Sequence, residues 1–369
     1  MSKRRKKKLN RRQQEIRRKR LKKRKRRRAI VIIIELIILC ILGTTAFALF
    51  KLGKMERTSL TNIKNNGLKQ TGYTNIALFG LDSRGKNLGK GNRTDTIMIA
   101  SINNETKKVK LISVYRDTML KQNGEHYDKA NAAYSVGGPE MAVNMLNENL
   151  DLDIQDYVSV NFLALADVID MVDGITVKMT DEEVVHMNNY CVETSKVTGK
   201  KYKKIEPAVA GTYKLNGVQA VSYARIRYTA GGDYKRTERQ RLVLEKTANK
   251  LKKQNLATIN KIIDKVMPEV STSFSTKEIL ALASGVFDFE LGETSGFPFD
   301  LETPDSVPGY SGSYVIPKGL EENVIKLHEF LFPDEDYTPT ETVTNISDTL
   351  INMTNVYPST TGSGTSQYE

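Results

Sequence analysis

The residues best suited to chemistry lie between Arg225 and Gln240, around a Gly-Gly pair. Arg225 and Arg227 stand two apart in a β-favouring segment, and side chains two apart on a strand project to the same face. Beyond the glycines, Asp233 is predicted to cap a helix on which Arg236 and Gln240 share one stripe. Guanidiniums, an amide and a carboxylate facing one volume suit an anion such as a phosphate or pyrophosphate. The alternative is the charged, solvent-exposed start of a surface helix.

Two carboxylates lie at the ends of predicted strands. Residues 74–80 and 94–102 have the apolar, β-branched composition of buried strands. Asp82 follows the first strand, and Asp95 lies at the start of the second. Carboxylates held at strand ends beside arginines suit Mg²⁺ carried in with a pyrophosphate, with Mn²⁺ as the alternative metal. Either aspartate taken alone is better explained as a turn cap.

Short motifs between residues 73 and 250 follow one another in a fixed order. They are Gly80-Leu81-Asp82-Ser83-Arg84, Asn92-Arg93-Thr94-Asp95-Thr96, Ser113-Val114-Tyr115-Arg116-Asp117-Thr118, Lys129-Ala130-Asn131-Ala132-Ala133-Tyr134 with Gly137-Gly138, Asp173-Gly174-Ile175, Leu215-Asn216-Gly217-Val218-Gln219-Ala220 and the Arg225–Gln240 stretch. This series resembles the LytR-CpsA-Psr family. One motif would be weak evidence, but the series is in register over the whole stretch.

The resemblance implies an enzyme that moves a glycopolymer, such as a teichoic acid or capsular polysaccharide, from a polyprenyl-pyrophosphate carrier to peptidoglycan through a phosphodiester bond. It implies a layered α/β/α sandwich with a central mixed β-sheet that encloses an apolar tunnel for the lipid. On matching positions, Asp82 and Asp95 would hold Mg²⁺, and Arg116 and Asp233 would be catalytic. The pyrophosphate would be bound by Arg84, Arg116, Lys129, Arg225, Arg227, Arg236 and Gln240.

Two positions within this resemblance carry further expectations. Tyr115 stands where the family usually has Pro, so the backbone at Arg116 is expected to be less constrained than in relatives. An aspartate among arginines is expected to have a lowered pKa, which would make Asp233 a weak base that orients the acceptor hydroxyl more than it deprotonates it.

Two other functions remain open at this point. A polyprenyl-pyrophosphate hydrolase would use the same residues with water as the acceptor. A non-catalytic regulator of the cell envelope would bind the lipid without turning it over.

Charge and hydropathy divide the chain unevenly. Of the net charge of +13, residues 1–28 contribute +18 through 19 Lys or Arg and one Glu, which leaves −5 for the rest. Residues 29–50 contain one charge, Glu35, and as a helix would span about 33 Å, enough for a bilayer core of about 30 Å. The positive-inside rule then predicts a single-pass cell-membrane protein with a cytoplasmic N-terminus and an extracytoplasmic catalytic domain. We expect the basic tail to contact anionic lipid and not nucleic acid.

The remaining boundaries follow from composition. Residues 51–72 are predicted to form a stalk, 73–332 the catalytic domain with its motif core at 73–250, and 333–369 a disordered tail rich in Ser and Thr. The polar segment 181–211 is predicted to be an irregular insertion. Cys40 lies in the apolar run, so Cys191 has no disulfide partner within the main domain, and three His in total make a His-based metal site improbable.

Overall fold

A computed structural model describes residues 56–81, 88–275, 277–279, 281 and 288–359. The proposed cytoplasmic tail and the anchor at 29–50 lie outside these residues, as do Asp82 and Arg84. Within the described residues, no helix has both the length and the apolar character that crossing a membrane would require.

Thirteen strands occur in the described part of the chain. They are β1 Glu56–Arg57, β2 Tyr73–Leu81, β3 Thr94–Asn103, β4 Lys108–Val114, β5 Met119–Lys121, β6 Tyr127–Lys129, β7 Ile154–Asn161, β8 Ile175–Met179, β9 Gly211–Leu215, β10 Val270–Thr272, β11 Glu290–Phe297, β12 Leu301–Glu302 and β13 Ile316–Pro317. Seven of them form the main sheet in the order β1-β10-β7-β2-β3-β4-β11. Its pairs are parallel at β1/β10, β7/β2 and β4/β11 and antiparallel elsewhere, so the sheet is mixed.

Helices cover both faces of this sheet. They are α1 Ala130–Leu150, α2 Phe162–Met171, α3 Asp181–Thr198, α4 Gly217–Ala224, α5 Gly232–Leu251, α6 Leu256–Val266, α7 Leu320–Leu331 and α8 Glu341–Thr354. On strand β2, Ala77 and Phe79 belong to the core formed with α1, α7 and α8, because alternate side chains point to one face. Val158 and Val160 of β7 pack on the other face, against α2 and α6. The predicted α/β fold with a central mixed sheet is confirmed.

Two expectations about irregular segments are wrong. The tail from residue 333 was expected to be disordered, but α8 buries Val343, Ile346 and Leu350 in the main core at helical spacing. The segment 181–211 begins with α3, whose N-terminus is fixed by a capping box between Thr180 and Glu183. Both helices are mostly polar, because only one narrow apolar stripe of each is buried. Composition alone therefore did not predict them.

Candidate functional site

A partly open cavity of about 530 Å³ lies between the main sheet and helices α2, α4 and α5. The sheet contributes Leu78, Met98 and Val158, which are neighbours across three strands. The helices contribute Leu165, Val221, Val243 and Leu244. The lining also includes five arginines and one aspartate: Arg93, Arg116, Arg225, Arg227, Arg236 and Asp95. The cavity therefore combines an apolar interior with a strongly cationic wall, an arrangement suited to an amphiphilic anion.

Asp95, near the start of β3, lies at the centre of the cationic wall. Its Oδ1 is 2.6 Å from Arg116 Nη1 and 3.6 Å from Arg227 Nη2. Burial would raise the pKa of Asp95, but Arg116, Arg236 and Arg227 outweigh burial and hold the pKa below its usual value. Asp95 is therefore ionised at neutral pH and fixes the two guanidiniums in place.

Arg236 and Gln240 reach the same point from the first two turns of α5. Arg236 Nη2 and Gln240 Nε2 each donate to the main-chain oxygen of Asp95 at 3.3 Å. The Arg236 side chain is only 2% exposed, and burial lowers its pKa to about 10. Among the described residues, Arg236 Nε and Gln240 Oε1 are buried without a hydrogen-bond partner. A buried guanidinium with an unused donor is a strong indication of an anionic ligand.

Asp233 lies in the first turn of α5, but it is not the cap that we predicted. The N-cap is Gly231, whose positive φ of 86° favours glycine, and a Cβ there would lie 2.6 Å from the Lys235 side chain. Asp233 Oδ1 is 2.9 Å from Arg236 Nη1 and 3.7 Å from Arg227 Nε. Because helix periodicity still places Asp233 beside Arg236, the predicted stripe survives the shift of the cap.

The expected lowering of the Asp233 pKa is wrong. Burial raises the pKa above its usual value, and the opposing effects of Arg236, Arg116 and Arg227 do not cancel it. Nearby Asp117 raises the pKa further. A raised pKa makes Asp233 a better proton acceptor near neutral pH than the sequence suggested.

Arg225 and Arg227 line one cavity, although the predicted strand is absent. The segment before them is α4, which begins with a capping box between Asn216 and Gln219 and ends with Arg225 as its C-cap. Arg225 Nη2 is 3.0 Å from Glu193 Oε2, and its guanidinium lies 5.2 Å from the centre of the Phe162 ring. Arg225 is thus held at the α3 side of the cavity, apart from the Asp95 cluster.

Lys129 is not brought to the cavity wall. Its Nζ lies 3.4 Å from Asp117 Oδ1, and Asp117 Oδ2 accepts from Arg116 Nε at 3.3 Å. Lys129 also lies over the Tyr314 ring, 4.8 Å from its centre. Asp117 therefore lies between Lys129 and Arg116, and Lys129 contacts the site through this carboxylate. The other half of the proposed metal pair, Asp82, and the predicted ligand Arg84 lie outside the described residues.

A comparison with models of protein families identifies the family of this chain. The model of the LytR_cpsA_psr family matches residues 44–293, which is more than half of the chain. The chain belongs to the LytR-CpsA-Psr family.

Curated relatives within the LytR-CpsA-Psr family carry two kinds of name. Biofilm regulatory protein A of Streptococcus mutans is 31% identical over 254 residues, covering 65% of this chain and 60% of that protein. The teichoic acid transferase TagU of Enterococcus faecalis, which by its name joins polyisoprenyl-linked teichoic acid to peptidoglycan, is 28% identical over 255 residues, covering 67% of this chain and 78% of that protein. The first name is regulatory and the second is enzymatic.

Solved structures of the family share the fold. TagT of Bacillus subtilis with bound octaprenyl pyrophosphate superposes with a TM-score of 0.53 and 21% identity, covering 74% of this chain and 99% of that one. This likeness shows the architecture of the LytR-CpsA-Psr fold.

Sequence reasoning missed two residues of the cavity wall. Arg93 precedes Asp95 by two positions at the start of β3, and that period-two spacing within its family motif was the available signal. Tyr190 of α3 lies 5.7 Å from the Arg225 guanidinium. No signal marked Tyr190, because its helix was not predicted.

Tyr115, which replaces the family's usual Pro, does not leave its backbone loose. Its N–H donates to Phe297 O at 3.0 Å, and its O accepts from Thr118 N at 2.9 Å. The ring packs edge-on against Tyr234 with centres 4.8 Å apart, and a Cβ at Gly296 would lie 2.2 Å from the Tyr115 hydroxyl. These contacts hold Tyr115 in place without a proline ring, and the comparison of the Arg116 backbone with that of relatives stays a prediction.

Proposed function

We propose that this chain is a membrane-anchored, Mg²⁺-dependent phosphotransferase that moves a glycopolymer from a polyprenyl-pyrophosphate carrier to peptidoglycan. The observation that carries the proposal is Arg236, a buried guanidinium with an unused donor beside Arg116 and Arg227 on the wall of an apolar cavity. A polyprenyl pyrophosphate has the matching shape of an apolar tail joined to a dianion. TagU and TagV, whose names describe this transfer, are relatives within the same family.

The chain's own residues supply the main requirements of the reaction. A pyrophosphate diester resists nucleophiles because it is negatively charged, so its charge must first be neutralised. Arg116, Arg227 and Arg236 would bind its oxygens and stabilise the charge that develops on the departing polyprenyl phosphate. The acceptor hydroxyl would attack the sugar-linked phosphorus and pass its proton to Asp233, leaving a phosphodiester between polymer and peptidoglycan.

Asp233 fits the role of base in position as well as in pKa. It lies between Arg227 and Arg236, so a hydroxyl within its reach would also be beside a phosphate bound to those arginines. Its raised pKa favours acceptance of the proton. Arg116, two residues beyond the end of β4 and paired with Asp95, would bind the same phosphate.

The described residues fit a Mg²⁺ ion that is bound partly by the protein and partly by the phosphates of the substrate. The ion pairs of Asp95 both use Oδ1, which leaves Oδ2 for a cation, and the lowered pKa keeps that oxygen ionised. No described group of three or more acidic, His or Cys side chains forms a complete metal site. Mg²⁺ commonly takes one or two carboxylates together with substrate phosphates, so Asp95 with the predicted partner Asp82 would suffice. When bound, the ion would supply further charge neutralisation.

The proposal includes the location of the reaction. We infer that residues 29–50 anchor the chain in the cell membrane, with the basic tail in the cytoplasm and the catalytic domain outside, where both the carrier lipid and peptidoglycan are accessible. A second candidate, a regulator that binds the lipid without turnover, is favoured by the regulatory name of the Streptococcus mutans relative.

The test is transfer of polymer by the full chain in proteoliposomes. Polyprenyl-pyrophosphate-linked polymer and peptidoglycan are supplied with Mg²⁺, and peptidoglycan-bound and free polymer are measured separately. Arg116→Ala and Arg225→Ala should abolish transfer, while Tyr357→Ala, a substitution at a residue outside the cavity lining, should not. Free polymer alone would establish a hydrolase, and lipid binding without turnover would establish the regulator. Transfer at the wild-type rate by either arginine variant would refute the site.

A further inference from the structure

Tyr228 is an aromatic side chain in an unusual setting. It is 73% exposed, the highest value among the large hydrophobic side chains of the described residues. It stands in the loop between α4 and α5, directly after Arg227 of the cavity wall. Its position beside a binding site makes this exposed ring available for contact with a ligand.

Two further rings extend from Tyr228 toward the cavity. Its ring is nearly parallel to that of Tyr190, with an interplanar angle of 20° and centres 6.5 Å apart. The His186 ring lies 6.3 Å from Tyr228 at 37°. His186 and Tyr190 are four residues apart on α3 and therefore share one face of that helix. The three rings form a tiered aromatic surface, which we call the aromatic platform.

The aromatic platform is continuous with the anion site. Tyr190 lines the cavity and lies 5.7 Å from the Arg225 guanidinium, while Tyr228 is joined through the backbone to Arg227. A ligand whose phosphates contacted these arginines would therefore carry its next chemical group past Tyr190 and Tyr228. This group is not the lipid tail, because the apolar interior of the cavity is lined by Leu78, Met98 and Val158.

We propose that the aromatic platform is a saccharide subsite that stacks one pyranose ring beside the pyrophosphate. The apolar C–H face of a pyranose packs on the electron-rich face of an aromatic ring, while its hydroxyls stay hydrated, so an exposed tyrosine is a suitable surface. This inference rests on the proposed function, in which the pyrophosphate bears a sugar. The ring could come from the donor polymer or from the peptidoglycan acceptor, and both sources share this chemistry.

The charged groups near the platform have both signs. Glu182 and Glu193 lie on α3, with Glu182 3.9 Å from His186 and Glu193 paired with Arg225. A neutral ring with amide and hydroxyl groups is compatible with such mixed surroundings. The platform thus suits the sugar at the reacting end of either substrate.

The test measures saccharide binding by the full chain in a detergent without sugar groups. N-acetylchitotetraose represents the acceptor glycan, and saturation-transfer NMR from the tyrosine ring protons reports its contact. For the donor, the Kd of undecaprenyl pyrophosphate is compared with that of the same lipid bearing one N-acetylglucosamine. Tyr228→Ala should weaken one of the two sugar interactions about tenfold, and which one identifies the source.

Matched variants separate stacking from other effects. Tyr228→Phe keeps the ring and should bind within about twofold of wild type, whereas Tyr357→Ala removes a comparably exposed tyrosine, 63% exposed, and should change nothing. The plain pyrophosphate lipid should bind Tyr228→Ala as it binds wild type, and its failure to bind wild type would count against the proposed function alone. The saccharide subsite is overturned if Tyr228→Ala keeps both sugar interactions, if wild type shows neither, or if Tyr228→Phe behaves like Tyr228→Ala.

Discussion

Two buried arginines on helix α5 allow ligand binding to be separated from structural support. Arg236 and Arg239 are both almost fully buried. Arg239 donates to Glu183 Oε1, Ile226 O and Thr229 Oγ1 at 2.8, 3.2 and 2.7 Å. Arg236 keeps an unused Nε. We predict that Arg236→Met loses the lipid with little loss of stability, and that Arg239→Met loses stability first.

The magnitudes follow from burial. The fall in the Arg236 pKa from the usual value of an arginine to about 10 corresponds, at about 1.4 kcal/mol per unit, to about 3 kcal/mol spent on keeping it charged. Arg236→Met removes that cost along with the contacts to Asp233, so the free energy of unfolding should change by less than about 1 kcal/mol. Removing Arg239 takes the guanidinium partner from the partly buried Glu183 and the donors from Ile226 O and Thr229 Oγ1, which costs about 3 kcal/mol or more. A lost charge-assisted bond from Arg236 Nε to a pyrophosphate, at about 1.5 to 3 kcal/mol, weakens binding about 10- to 100-fold.

The assay combines thermal melting with lipid binding. Circular dichroism of the full chain in detergent should show the melting temperature of Arg236→Met within about 2 °C of wild type, and that of Arg239→Met lower by about 6 to 10 °C. Undecaprenyl pyrophosphate should raise the melting temperature of wild type and of Arg239→Met but not of Arg236→Met. Wild-type affinity in Arg236→Met, or a melting temperature as low as that of Arg239→Met, would refute the assignment of Arg236 to the ligand.

Three further predictions concern the base, the metal and the C-terminal helix. Because the pKa of Asp233 is raised, its base form is lost as the pH falls through that pKa. Transfer should therefore decline on the acid side at a pH above the usual range of an aspartate, and Asp233→Asn should have low activity without this limb in a pH–rate profile. Asp95→Asn should raise the Mg²⁺ concentration for half-maximal transfer at least about tenfold, and an unchanged Mg²⁺ titration would exclude Asp95 as a ligand. Deleting residues 341–369 exposes the core beneath Val343, Ile346 and Leu350 and should lower the melting temperature by about 8 °C or more, whereas deleting the segment from residue 360 should not; equal melting of the two truncated chains would show that α8 adds no stability.

Local sequence rules predicted the part of the site that depends on one helix. Arg236 and Gln240 lie on a common face because they are one turn apart, and both reach the Asp95 carbonyl. The alternating motif around Arg225 and Arg227 was misread as a strand. Asn216 and Gln219, three residues apart, form a capping box and were the signal for the helix that actually precedes Arg225.

Other features depend on contacts between residues far apart in the sequence, which rules about neighbouring residues do not describe. The raised pKa of Asp233 results from burial beneath neighbouring elements, which outweighs the arginines visible in the sequence. Helix α8 is stable because Val343 and Ile346 meet a core made by β2, β3 and α1, more than 180 residues earlier. The tertiary environment decides both outcomes. Without it, the sequence predicted a lowered pKa for Asp233 and a disordered segment where α8 forms.

The charge balance of the described side chains explains how a buried arginine can persist at this site. Five arginines line the cavity, Arg93, Arg116, Arg225, Arg227 and Arg236, and three carboxylates pair with members of this set, Asp95, Asp233 and Glu193, which leaves +2 once Asp117 is offset by Lys129. The carboxylates fix the guanidiniums without neutralising them, so the cost of desolvating Arg236 is only partly offset within the protein. A pyrophosphate diester carries two negative charges and, with Mg²⁺ and Asp82 left out of the sum, would offset this positive charge. The bound ligand would then offset the cost of burying the Arg236 charge. This favours a dianion over a neutral lipid or a single phosphodiester at the same position.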